Sequence, residues 1–303
     1  MAKAIDAGAL CTCGPTNDME SKAALPLASR AGIFVFSGAC TTTVAKQFFP
    51  WTIYTLSPTE EGVKYQMELW RKHEPTIKAM VGLEEPINPQ MHVLQDGFQQ
   101  TFKAMGLGAK GIVTVPSGMA DYSAVVVRAI GTGADAFTIG ATGEVSAKLV
   151  NELVSRGVNP RHIYLQIGNI GPEFLDQCKG HDEGVYSGWS PTYASTPEFA
   201  RLSKLFKDAH GGKPWSGLTV VTYDMITMIK DAIEKTGITG DRAKLKEERL
   251  KIRDYALNQK QFHGLDATYD VVNGLAVGYP QRLFRVHNDE MPLVEEFISK
   301  GAH

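Results

Sequence analysis

The chain has 303 residues, 43% of them hydrophobic and 21% charged, and its 31 basic and 33 acidic side chains sum to a formal net charge of −2. That length is about twice the prior of roughly 150 residues per domain and predicts two lobes, each with its own core. The composition excludes a disordered or fibrous chain, and the near-neutral charge gives no pull toward nucleic acid or anionic lipid. No run approaches the roughly 18 apolar residues of a bilayer span, because the richest, Ala31 to Ala45, is broken by Ser37, Gly38 and a triple threonine.

Met1 to Asp6 has neither the charged head nor the long apolar middle of a secretion signal, which on its own predicts a cytoplasmic chain. Ala7 to Cys13 reads as a strand ending at Gly14-Pro15, and Asn17-Asp18 then caps a helix with apolar positions Ala24, Leu27, Ala28 and Ala31. Ile33 to Phe36 is a second buried strand, ending at Ser37-Gly38 before the polar turn of Thr41, Thr42 and Thr43. Ile77 to Leu83 is a third, followed by a helix from about Met91 to Met105 that stops at Gly106. Ile112 to Val115, Ala136 to Ile139 and Ile163 to Ile167 are further strands, with helices at Tyr122 to Ile130 and Glu144 to Arg156 between them. This alternation is the mark of a parallel α/β fold. After Gly184 the texture changes. An extended connector, Val185 to Pro191, leads to helices at Pro197 to Ala209, Leu218 to Thr236 and Arg242 to Leu257, and β character returns from Ala267 to Val286. A helical block between β regions fits a chain that leaves one lobe, completes the other and comes back.

Four cysteines are too few for a disulfide scaffold. Cys11 and Cys13, two apart on one strand, share a face and cannot bond comfortably. A Cys13 to Cys40 bridge is open, with buried free thiols the preferred reading. A C-x-C without a histidine cluster offers too few ligands for a metal.

Gly106-Leu107-Gly108-Ala109-Lys110-Gly111 matches G-x-G-x-x-G, but it follows a helix and precedes a strand, the reverse of what phosphate cradling requires, and it reads as a helix stop. Gly140-Ala141-Thr142-Gly143 lies between strand and helix yet lacks the lysine and hydroxyl of a P-loop. No H-e-x-x-h or G-x-S-x-G pattern occurs, so no catalytic residue, no metal site and no cofactor is expected. The neighbours Glu84-Glu85 and Glu295-Glu296 read as solvated pairs, and the mixed-sign stretch Lys244 to Arg253 as a solvated helix face. What remains is a set of small polar loops after successive strands: Asn17-Asp18, Ala39 to Thr42, Glu84 to Gln90, Ala141-Thr142 and Gly168-Asn169. In parallel sheets the carboxyl ends of strands are where ligands lodge.

Four segments together resemble the type I periplasmic solute-binding proteins of the branched-chain amino acid (leucine/isoleucine/valine) transport family. They are Gly14-Pro15 through Ala24-Leu25-Pro26-Leu27-Ala28 to Ala31-Gly32-Ile33; Ala120-Asp121-Tyr122-Ser123-Ala124 with Gly133 to Phe137; Gly171-Pro172-Glu173-Phe174-Leu175 with Asp182 to Tyr186; and Tyr223-Asp224 with Asp231 to Glu234. The resemblance implies two Rossmann-like lobes with parallel central sheets joined by three crossover strands. It places residues 1–54 and 193–270 in the N-terminal lobe, and 55–192 and 271–303 in the C-terminal lobe. It also implies that the N-terminal lobe is incomplete by about two βα units, which would leave the first strand as a sheet edge, and a periplasmic or extracellular location despite the missing signal.

Carried over residue by residue, the resemblance puts the family's ligand-binding serine at Asp18, a departure, and its loop for the ligand's carboxylate and amine at Gly38, Ala39, Cys40 and Thr41. In the second lobe an expected tyrosine falls near Gln90, a further aromatic contact near Ala141 and Thr142, and the acid that grips an α-ammonium near Ile167 to Asn169, where no acid stands. Tyr54, Trp189 and Tyr193 are candidates for an apolar wall. The expected function is therefore solute binding for an ABC importer. The ligand would be a small amino acid, amide or carboxylate held by hinge closure, with a membrane permease as partner; a sensor domain of the same fold is the alternative.

Overall fold

Short apolar strands alternate with helices throughout the computed structural model, which describes residues 1–15, 18–38, 42–55, 59–86, 89–166, 172–178, 180–190, 193–212, 215 and 217–298. In chain order the first elements are α1 (Ala2–Asp6), β1 (Cys11–Cys13), α2 (Asp18–Ala31), β2 (Phe34–Ser37), α3 (Thr42–Phe48) and β3 (Thr52–Tyr54). There follow α4 (Thr59–His73), β4 (Ala79–Glu84), α5 (Pro89–Ala104), β5 (Gly108–Thr114), α6 (Ser123–Ile130), β6 (Ala136–Gly140), α7 (Gly143–Ser155), β7 (Ile163–Leu165), α8 (Pro172–Cys178) and β8 (Tyr186–Ser187). The last part comprises α9 (Pro197–Ala209), α10 (Gly217–Thr236), α11 (Leu245–Leu257), β9 (Phe262–His263), β10 (Thr268–Val272), β11 (Leu275–Val277), β12 (Pro280–Arg285) and β13 (Leu293–Ile298).

The alternating α/β reading holds, with local corrections. Only Cys11–Cys13 of the expected strand over Ala7 to Cys13 is extended, because α1 precedes it and ends at Gly8, whose φ of +73° favours glycine. Leu27 is exposed: the buried face of α2 is Ser21, Leu25 and Ala28, spaced i, i+4, i+7. Between Gly38 and Ile77 the structure has α3, β3 and α4, none of them expected. Gly106 does stop α5, with φ +74° and the Leu107 N–H donating to the Phe102 carbonyl at 2.9 Å. Thr196 caps α9, its hydroxyl accepting the Phe199 N–H at 3.0 Å with Pro197 in the first turn.

The strands form two sheets. The six-stranded sheet has the order β1-β2-β3-β11-β10-β9, with β1, β2, β3 and β11 parallel and β10 antiparallel to β11. The seven-stranded sheet has the order β13-β12-β8-β7-β6-β4-β5, parallel from β8 through β5 and antiparallel where β12 meets β8. The chain divides into two compact units, one containing Met1–Thr59 and Leu218–Pro280, the other Glu60–Gly217 and Gln281–Phe297. These limits differ from the expected lobe boundaries at 54, 192 and 270. One cause is β11, which pairs Leu275 with Tyr54 and so keeps the chain with the first sheet beyond residue 270.

Each sheet is packed on both faces. In the first unit, Phe34, Phe36 and Ile53 meet Val221, Met225, Met228 and Ile252 on one face, and Val35 meets Leu25, Ala28 and Val44 on the other. In the second unit, Val81, Leu83, Phe137 and Ile139 meet Val126, Val145 and Leu149 on one side. Met80 and Tyr164 meet Val63, Met67, Trp70, Phe98 and Phe102 on the other. The described cysteines are free thiols, but only Cys178 is buried; Cys11 is half-buried and Cys13 exposed, which corrects the expectation of buried thiols. Burial, with the neighbouring Cys13, pushes the Cys11 thiol up to about 12, so neither metal nor redox chemistry is favoured there. Among the described residues no group of three or more His, Cys, Asp or Glu is placed to hold a metal ion. No described helix is long and apolar enough to cross a membrane.

Candidate functional site

Parallel strands send their carboxyl ends, and the amino ends of the following helices, to one edge of the sheet. In the first unit that edge begins at Gly14-Pro15 and Ser37-Gly38. The Gly14 N–H donates to the Phe36 carbonyl at 2.8 Å and the Gly38 N–H to the Pro15 carbonyl at 3.0 Å, so the pairing of β1 with β2 continues past both strands. Beneath it, Ser21 Oγ and Ser37 Oγ lie 3.4 Å apart in the core. Just past β3, the Thr55 hydroxyl is buried with no hydrogen-bond partner among the described residues. Asp18 is the first residue of α2. Ala39, Cys40 and Thr41 lie outside the described residues. Tyr54, a candidate wall residue, is buried and clusters with Ala45 and Leu275.

The second unit supplies a more detailed edge, at the ends of β4, β6 and β7. All six residues of β4 are buried, including the last, Glu84, and so is Glu85 just beyond it. The expectation that Glu84 and Glu85 are solvated is therefore wrong: their exposures are 7% and 3%. Successive strand residues point to opposite faces, and the two carboxylates diverge accordingly. Glu84 faces α5, its Oε2 3.0 Å from His92 Nδ1. Glu85 faces α7, its Oε2 accepting the Thr142 N–H at 2.9 Å. Thr142 is the N-cap of α7 and makes no side-chain cap; the Glu85 carboxylate holds the N-cap residue's own N–H, at the helix end where the dipole favours negative charge. The Glu85 N–H also donates to the Gly140 carbonyl at 2.9 Å, tying the ends of β4 and β6 together.

Gln166, one residue past β7, is 1% exposed. Its Nε2 donates to the Met91 carbonyl in the first turns of α5 at 3.1 Å. Deeper on the same face, Gln95 of α5 donates to the Leu83 and Thr138 carbonyls at 3.2 Å each and accepts the Thr138 hydroxyl at 2.6 Å. Glycine is required beside these amides: a Cβ on Gly82 would stand 2.6 Å from Gln95 Oε1, and one on Gly140 2.7 Å from Gln166 Nε2. A second amide group, Gln66, accepts the Tyr164 hydroxyl at 2.9 Å and donates to Gln281 Oε1 at 3.5 Å.

The structure thus brings Ala141 and Thr142 to the edge that also holds Glu85, with the Ala141 methyl fully buried in the core and Thr142 exposed. Gln90 lies in the first turn of α5, and Asn169 lies outside the described residues. Trp189 is half-buried, and Tyr193 packs against Phe284 with ring centroids 5.3 Å apart and under the Arg282 guanidinium at 5.5 Å. Glu84 and Glu85 were expected only as a solvated pair at the head of the polar loop 84–90, and His92 and Gln166 were not expected at the edge. The available signal for Glu84, Glu85 and Gln166 was their position at or just past the ends of continuous buried strands; His92, within α5, carried none.

A family model described as periplasmic binding protein matches residues 1–273. Among solved structures, the fold is similar to that of a leucine binding protein, LivK, from Thermotoga maritima MSB8, with a TM-score of 0.81 at 21% identity over 98% of this chain and 83% of that one. An ABC transporter solute-binding protein from Rhodopseudomonas palustris in complex with 4-hydroxybenzoate gives a TM-score of 0.79 at 16% identity, covering 98% of this chain and 81% of that one. The branched-chain amino acid transporter substrate-binding protein LivJ of Streptococcus pneumoniae, in complex with isoleucine, gives 0.76 at 17% identity with the same coverage, 98% and 81%. No curated protein matches. At these identities the structural likeness establishes the type I fold.

Proposed function

The chain belongs to the periplasmic binding protein family, and on that premise we propose that it is a non-catalytic solute-binding protein. It captures one small polar or amphipathic molecule outside the cytoplasm and delivers it to the permease of an ABC importer. The observation that carries this reading is the family match over residues 1–273, joined to a buried polar edge at the carboxyl ends of parallel strands. In this reading the two units close on the solute about their connecting segments. The loop amides of Gly38, Ala39 and Cys40 receive its anionic end, Thr41 and Asp18 take its cationic end where it has one, and Gln90, Ala141, Thr142 and Asn169 contact it from the second unit. Small molecules bound by the structural relatives, isoleucine in one and 4-hydroxybenzoate in another, set the size class.

The test is a thermal-shift screen of the full chain against leucine, isoleucine, valine, small amides, 4-hydroxybenzoate and aliphatic carboxylates. A solute at about 100 times its Kd adds about 2.7 kcal/mol and raises the melting point by several degrees. A chain that responds to no member of the panel overturns the proposal. In a responding chain, Thr41→Ala weakens binding by about tenfold if Thr41 holds the solute, as measured by titration calorimetry; unchanged affinity removes Thr41 from the site.

A further inference from the structure

We propose that Gln66 and Gln281 are positioning residues for hinge closure, a buried amide relay that clamps two entries of the chain into the second unit as one piece. This rests on the solute-binding reading for its purpose and goes beyond it by naming residues that touch no solute. Two of the places where the chain changes unit are Thr59–Glu60 and Pro280–Gln281. The first leads into α4 and the second into β12, and inside the second unit these two starts lie against each other. Gly62, in the first turn of α4, is buried, and a Cβ there would stand 2.7 Å from Gln281 Oε1. Glycine at this position is what admits the Gln281 amide. One turn further along α4, Gln66 Nε2 donates to the same oxygen at 3.5 Å. That bond is long, so the grip on Gln281 is steric as much as polar. On its other side Gln66 Oε1 accepts the Tyr164 hydroxyl at 2.9 Å. Gly188, just past β8, comes so close that a Cβ would lie 2.6 Å from Gln66 Nε2 and 2.7 Å from the Tyr164 hydroxyl.

The base of the relay is fixed. Tyr164 lies on β7, between β6 and β8 in the sheet, with its ring centroid 5.5 Å from that of Trp70 and 5.6 Å from that of Phe98. Burial pushes its hydroxyl well above the ordinary value, so it stays a proton donor. That fixes Gln66 Oε1 as the accepting end and turns Nε2 toward Gln281. Gln66, Tyr164 and Gln281 are all buried, and the core around the relay is apolar, with Val63, Met67, Trp70 and Leu283 packed beside Tyr164. Apolar side chains would fill such positions at no loss of burial; what the amides add is a set register between α4 and β12. A bonded polar chain in a core rigidifies what it joins. Two segments that leave a unit from one clamped point bend together, whereas two that leave from independently mobile points admit shear and twist besides hinge rotation. Each extra open arrangement lowers the fraction of the chain competent to close, and the apparent affinity falls with that fraction.

The test begins with the ligand-free chain and so does not depend on the solute. Spin labels coupled to azidophenylalanine in place of Lys110 of β5 and Lys246 of α11, both exposed and one in each unit, give a distance distribution by double electron–electron resonance. Gln281→Ala, which withdraws the amide from both Gly62 and Gln66, should broaden that distribution about twofold over the parent. Tyr164→Phe removes a hydrogen bond of the same relay but leaves Gln281 on Gly62 and Gln66; it should melt lower than the parent and keep the parental width. An unbroadened Gln281→Ala, or equal broadening in Tyr164→Phe, overturns the clamp, because the relay then contributes packing alone. Should Gln281→Ala not fold, Gly62→Ala, which forces the amide aside, gives the same reading, and an unchanged width there overturns the proposal. In a chain that responds to leucine, isoleucine or 4-hydroxybenzoate, Gln281→Ala should weaken the Kd by calorimetry about fivefold and Tyr164→Phe should leave it unchanged. A Kd unmoved in Gln281→Ala overturns the positioning role. Silence from the whole solute panel overturns the solute-binding reading, while the clamp stands or falls on the measured widths.

Discussion

Asp224 illustrates how much one side chain can carry. It sits in α10 at 2% exposure, its Oδ1 accepting the Leu265 N–H at 2.7 Å. Burial, joined by the nearby Asp266 charge, pushes its carboxyl from 3.8 up to about 7, against the lowering effect of the Leu265 bond. A folded-state value above the unfolded one means that the native chain holds the proton more tightly. Its contribution to stability is therefore full below about pH 4 and is lost as pH rises through about 7, at a slope of at most about 1.4 kcal/mol per pH unit. Asp224→Asn should remove this component, so that the difference in unfolding free energy between variant and parent grows with pH over that window, as followed by urea titration. A flat difference would mean that the carboxyl titrates normally. Gly82 offers a steric counterpart. A methyl there collides with Gln95 Oε1, which is held by the Thr138 hydroxyl and cannot yield without breaking that bond. Gly82→Ala should cost about 1–3 kcal/mol by denaturant unfolding. Neither effect is legible in the sequence, because both depend on which distant side chain arrives beside the residue. The same holds for Glu84 and Glu85: as text they are a charged pair, and only the packing of α5 and α7 against opposite faces of β4 buries them.

At the level of elements, the sequence reads well where a run is long. The helices at 89–104, 143–155, 197–209, 217–236 and 245–257 fall close to the periodicity-based expectations. The segment between Gly38 and Ile77 was not legible in the same way. β3 is three residues long, too short for an alternation signal, and Thr42 and Thr43, read as a turn, open α3. α4 did carry a signal in Val63, Met67 and Trp70, spaced i, i+4, i+7 and all buried. Elements also depend on single long-range ties. Arg249 of α11, 9% exposed, donates from Nε to the Ala9 carbonyl and from Nη1 to the Ala31 carbonyl, both at 2.9 Å. It thus anchors the approach to β1 and the end of α2. Arg249→Leu leaves two carbonyls without this partner and should cost about 1–3 kcal/mol, with hydrogen exchange accelerated around residues 9–13 and 28–33 more than elsewhere. Uniform acceleration would show that the arginine acts through general packing.

For the whole molecule, two units with separate cores predict a graded map of protection. β4 and β6 are buried at every position and flanked by strands on both sides, whereas β1 and β13 are sheet edges with exposed residues. Amides of β4 and β6 should exchange slowest and those of β1 and β13 fastest by mass spectrometry; equal protection would contradict the described sheet order. Two lobes and alternating α/β layers were legible from length and patterning alone. The exact places where the chain changes unit were not, because β11 is assigned to the first sheet by its pairing with β3 rather than by any break in composition. Gln95 carries one more consequence. A helix side chain that hydrogen-bonds two neighbouring strands at once works as an index pin: a slip of α5 by one residue would turn it about 100° away from both carbonyls. The start of α5 is thereby held at a fixed station above β4 and β6, so that the Met91 carbonyl meets the Gln166 amide beyond β7 without any further ordering of the helix.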